Sequence, residues 1–259
     1  MTTSLSPRTL GIDAAPSAPG PIPFLRLVRV EWAKATDTRA ARWLLALVAL
    51  STAGMMLVPV LVPTTFDQTY ASYLRVAALG LTILLPVVAI LMLTGEWSQR
   101  SIMTTFTQEP RRIRVLNAKL AVAMVLGGCG AVFGGVVTAA GLGLTAASGR
   151  ALEANLTFGA ITGYLLFVLL NVLAGVALGA LLQSSATAIV ASFALPAAFA
   201  VLGTASTLVS DWIDMSTTWN WVLENDWAGH VPQISFSIVF WVAVPLAAGV
   251  VRTIRRDVG

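Results

Sequence analysis

The sequence predicts an all-α integral membrane protein with six transmembrane helices, and three observations carry that prediction. The chain is 57% hydrophobic and only 11% charged over 259 residues, whereas a soluble domain carries about 25% charged residues. Six apolar runs, at 43–62, 74–94, 118–147, 157–183, 186–209 and 233–251, each reach the roughly 20 residues a helix needs to cross the hydrocarbon core. These runs are continuously apolar rather than alternating. Lipid offers the backbone no hydrogen bonds, so only helices or closed barrels can span it, and continuous runs select helices.

The elements follow in order. Residues 1–23 are rich in Ser, Thr, Ala and Pro, with Pro7, Pro16, Pro19, Pro21 and Pro23, and have too little apolar content to pack. A disordered cytoplasmic tail is expected, followed by a single transmembrane domain over 24–259. Residues 24–42 place Phe24, Leu27, Val28 and Trp32 on one side of a helix and Arg26, Arg29 and Lys34 toward the other. That pattern predicts an amphipathic interfacial helix on the inner membrane surface; a solvated juxtamembrane helix is the alternative. No apolar segment precedes these bases, so a signal peptide is not expected. The third run exceeds one crossing and should tilt or project past the headgroups.

Charge sets the orientation. The N-terminal bases, the 95–119 segment and Arg252, Arg255 and Arg256 hold most of the Lys and Arg. Six spans place all three on one side, and the positive-inside rule makes it cytoplasmic, with both termini. The opposite loops hold Asp67, Glu153, Asp211, Asp214, Glu224 and Asp226 against only Arg75 and Arg150. Within 210–232, Trp212, Trp219, Trp221 and Trp227 suit the outer membrane–water boundary, on short helices at or dipping into it.

Several functions are excluded. The single Cys129 precludes an intramolecular disulfide or a multi-cysteine metal site. The single His230 precludes H-E-x-x-H zinc chemistry, and no G-x-x-x-x-G-K-[ST] loop occurs. No catalytic residue, resident metal or cofactor is therefore expected. The net charge of +4 follows from topology and does not imply nucleic acid.

Small and polar residues mark the spans. Gly130 and Gly134, and Gly175 and Gly179, form two G-x-x-x-G pairs that allow close helix packing, either within one subunit or at a dimer seam. Asn171, near the middle of the fourth run, either bonds a neighbouring helix or lies on a substrate pathway. Pro86, Pro196 and Pro245 should kink their helices.

One internal stretch is unusually polar. Residues 95–119 hold Glu96, Glu109 and five of the sixteen bases. Trp97, Ile102, Met103 and Phe106 recur at spacings compatible with a short amphipathic helix over 97–109, and Pro110 should end it. The order Gly95-Glu96, Arg100-Ser101-Ile102, Thr105, Pro110-Arg111-Arg112 and Lys119 resembles the permease subunits of ABC-2 type transporters. The likeness covers the chain in outline. It departs at Gln99-Arg100-Ser101, where relatives often carry Gly then Thr.

The resemblance implies a permease subunit of an ATP-driven exporter in the bacterial cell (inner) membrane. It would work as a homodimer and move an antibiotic, peptide or lipid. A separate ATP-binding subunit, with the ATP and Mg, would dock on the short coupling helix between spans 2 and 3. Glu96 would anchor that helix through Arg100 or an N-terminal base. Arg100, Ser101, Ile102, Met103, Phe106 and Pro110 would form the docking handle. Arg111 and Arg112 would hold lipid phosphate or partner carboxylates, or act as plain topology signals. Two rivals stand beside this reading: an ion-coupled secondary transporter, disfavoured by the lack of mid-span carboxylates, and a non-transporting scaffold or sensor bound to an ATPase.

Overall fold

A computed structural model describes residues 22–64, 66–98 and 111–255. Ten α-helices and one π turn occur among them: α1 (Phe24–Thr36), α2 (Arg39–Leu61), α3 (Tyr70–Ser98), α4 (Arg112–Ala147), α5 (Phe158–Leu182), α6 (Ser185–Gly203), α7 (Thr207–Trp212), α8 (Met215–Leu223), α9 (Val231–Ile238), a π turn (Val239–Ala243) and α10 (Val244–Arg255). No strand is present among the described residues beyond one isolated bridge between Thr69 and Glu153. Six helical segments, with α9 through α10 running as one, are long and apolar enough to cross a membrane. The chain is a multi-pass, α-helical membrane protein.

The bundle is built around α3 and α5. α3 packs on α2, α4 and α5, and α5 also meets α6, α8 and α10. Glycine lets the central pair approach. A Cβ at Gly175 would lie 2.7 Å from the Pro86 carbonyl oxygen, and one at Gly179 would lie 3.2 Å from Leu93 Cδ2. Gly130 and Gly134 of α4 likewise face Leu85 and Leu81 of α3, each 2.9 Å from a built Cβ, and Gly134 also faces the Tyr164 hydroxyl. Both glycine pairs are thus packed within the chain. Tyr164 donates to the Ala131 carbonyl, 2.7 Å away.

Side-chain caps set the helix starts. Thr38 Oγ1 accepts from Ala41 N–H at 3.1 Å, and Thr157 Oγ1 accepts from Ala160 N–H at 3.1 Å, relieving donors that a helix N-terminus leaves unpaired. The Thr38 cap corrects the single helix expected over 24–42. α1 ends at Thr36, with Asp37 as its C-cap, and Arg39 and Arg42 belong to the first turn of α2.

The fifth apolar run also ends earlier than expected. α6 stops at Gly203, where the chain doubles back; a Cβ there would lie 3.3 Å from the Ser210 Cα. The reversal carries α8 into the bundle. Gly163 admits the Val222 carbonyl, and Trp219 is wholly buried. Trp219 is therefore a core residue, which corrects its expected place at the membrane–water boundary.

Candidate functional site

Two regions hold polar groups where burial makes them costly. The first lies on the face where α3 ends and α4 begins, at the two ends of the 99–110 connection. Val28, Glu31, Trp32 and Ala35 occupy one stripe of α1, with spacings of three and four that share a helix face. This stripe packs inward: Val28 and Trp32 sit against the core, and Glu31 and Ala35 are buried.

Four charges meet there. Lys119, at the start of α4, pairs with Glu31 at 2.5 Å and with Glu96 at 3.3 Å. Lys34 pairs with Glu31 at 2.7 Å and with Glu96 at 2.6 Å. The pairs close into a neutral ring in which each ion faces two of opposite sign. Glu31 and Lys119 are each only 3% exposed, so neither carries its charge at tolerable cost without the other. Burial would lower the Lys34 pKa, but its hydrogen bonds and charge interactions with Glu31 and Glu96 outweigh burial and hold it above 10.5. The ring ties three helices far apart in sequence.

Neighbouring bases fasten helix ends. Arg112 Nη1 donates to the Thr253 carbonyl at 2.8 Å, a group at the carbonyl-rich end of α10. Arg252 Nη1 donates to the Leu181 carbonyl at 2.7 Å, and Arg114 Nη2 to the Ile22 carbonyl at 2.6 Å. The acceptors of Arg112 and Arg252 lie at helix C-termini, which cationic groups suit because the last carbonyls lack helical partners. Arg111 is exposed and immediately precedes α4. Arg100, Ser101, Ile102, Met103, Phe106 and Pro110 lie outside the described residues.

Sequence reasoning missed Glu31. Its acidity hid it within a basic helix, yet its spacing of three from Val28 and four from Ala35 puts it on the inward stripe. Lys119 appeared only as part of a pattern. That it shares one site with Lys34, 85 positions earlier, is a property of the fold.

The second region lies between α3, α5, α6 and α8. It is a cavity of about 390 Å³ whose wall includes Asn171, Thr82, Ser192, Trp219 and Trp241 and, among the described residues, no charged one. Asn171 Nδ2 donates to the Phe167 carbonyl at 2.8 Å within its own helix, which leaves its Oδ1 as an acceptor. Trp241 Nε1 donates to the Ile213 carbonyl at 2.7 Å.

Among the described residues, no group of three His, Cys, Asp or Glu side chains is placed to hold a metal ion. No protein-family model matches the chain, and no curated protein matches it.

Proposed function

We propose that the chain is the permease subunit of an ATP-driven exporter of the ABC-2 type. Two copies form the pathway in a bacterial cell membrane, and each docks a separate ATP-binding subunit through the 97–109 segment. ATP and Mg bind in that partner. The cargo is amphipathic or lipophilic.

The observation that supports this reading is the charge ring. Glu96 sits one turn before the connection and Lys119 about two and a half turns after its end, and both are bonded to α1. A partner pressing on the connection would act on α1, α3 and α4 together. Such a junction suits a coupling element; a simple topological loop has no need of it.

The test is to tag the full chain in its native membrane and identify what purifies with it in mild detergent. A stoichiometric ATP-binding subunit is expected, absent from the Phe106→Asp variant, which itself stays inserted. Recovery of no ATP-binding subunit under several mild conditions, or its retention by Phe106→Asp, would overturn the docking assignment. Glu96→Ala should keep the complex but uncouple hydrolysis from cargo flux into vesicles, reducing flux at least severalfold.

A further inference from the structure

We propose that the cavity between α3, α5, α6 and α8 binds a neutral lipophile, whose hydrogen-bond acceptor is received by the Trp219 indole N–H. Trp219 lines the cavity and is 0% exposed, and its Nε1 has no hydrogen-bond partner. A buried tryptophan normally finds an acceptor, because the lost hydration is otherwise uncompensated. Trp241, on the same wall, has done so with the Ile213 carbonyl. Trp219 is thus a desolvated donor beside an empty volume of small-molecule size.

The rest of the wall narrows the ligand. It holds no charged side chain, so an ionised group would enter without a counter-charge, at high cost in a membrane interior. Beside its hydroxyl and amide groups, the wall also offers free acceptors. Pro86 and Pro196 lie inside α3 and α6 and also line the cavity. Lacking N–H groups, they leave the carbonyls four residues earlier, at Thr82 and Ser192, without their α-helical donors. Both of those residues line the same cavity, as does Asn171. A ligand with an amide or hydroxyl could donate to these acceptors while accepting from Trp219. Of the lining residues, Leu79 and Ile83 of α3 and Phe193 of α6 are exposed, and entry between those two helices follows from the proposal. Calling the ligand a cargo rests on the permease reading; its binding does not.

The experiment uses the full chain in nanodiscs of ether-linked phosphatidylcholine, which has no ester carbonyl to fill the site. Benzophenone, a neutral ketone, is the photolabel, and adducts are mapped by mass spectrometry. Adducts are expected on cavity-wall peptides. Fluorenone should displace the label at about tenfold lower concentration than fluorene, which has the same skeleton without the carbonyl; tenfold corresponds to about 1.4 kcal/mol, one hydrogen bond. Trp219→Phe should keep the label but reduce that preference to roughly threefold or less. Equal competition by the two compounds in the unaltered chain would overturn the proposal without any variant. Labelling confined to lipid-facing positions, or an undiminished preference in Trp219→Phe, would do the same. None of these outcomes depends on whether an ATP-binding subunit co-purifies.

Discussion

The charge ring and the cavity handle buried polarity in opposite ways. The ring gathers four full charges and leaves each one paired, so it acts as a fastener among α1, α3 and α4. The cavity holds no charge and leaves one strong donor unpaired. Satisfied polar networks rigidify, whereas an unsatisfied group stays ready for a guest. The contrast assigns rigidity to the face carrying the 99–110 connection and receptivity to the space within the bundle.

The largest test removes one ion from the ring. Lys119→Met leaves the buried Glu31 with only the half-exposed Lys34, and should cost about 3–5 kcal/mol, as when a buried pair loses one partner. Tryptophan-fluorescence unfolding in detergent would measure it. Adding Glu31→Leu should restore a large part of the loss; a cost below about 1 kcal/mol for Lys119→Met would show that the ring fastens nothing.

A smaller effect is expected where α5 meets α3. Gly175→Ala forces a methyl against the Pro86 carbonyl and should cost about 1–3 kcal/mol. Gly135→Ala is the control, because its Cβ would meet nothing within 4 Å, and higher helix propensity should stabilise it by up to about 1 kcal/mol. The same unfolding assay reads both, and equal effects would deny that the α3–α5 approach is tight.

The smallest effect belongs to Lys34, whose side chain is 41% exposed. Lys34→Ala should cost at most about 1 kcal/mol because water screens its pairs. Its pKa is raised by folding, so its contribution is fully present below about 10.5 and is lost as pH rises through the higher folded value. The stability difference between Lys34→Ala and the unaltered chain should therefore hold from pH 7 to 9 and shrink only above that range. Shrinkage at neutral pH would place the group elsewhere.

Much of the fold could be read from residue order because lipid imposes one requirement, a long apolar run, and six such runs stand out. Their ends were less legible. The break at Thr38 depends on one hydroxyl reaching Ala41, and the early end of α6 depends on Gly203 meeting Ser210. Among site residues, Glu96 stood out as a carboxylate at the close of an apolar run. Its partner Lys34, and Glu31 across the ring, arrive through the docking of α1, which no local pattern encodes. Trp219 misled because tryptophan is common at interfaces, and only the return of α8 toward Gly163 buries it. The cavity was signalled in pieces, by Asn171, Pro86 and Pro196, without any sign that they share a wall.

The π turn at Val239–Ala243 lies just ahead of Pro245. A wider turn takes in one extra residue, and each residue of an α-helix advances the side-chain direction by about 100°. The turn therefore acts as a phase shifter for the last crossing. Upstream of it, Ile234 and Ser237 point inward; downstream, Gly249 nests on Ala180 and Thr253 receives Gln183. Both faces meet the same bundle because the rotation between them is written into one loosened turn.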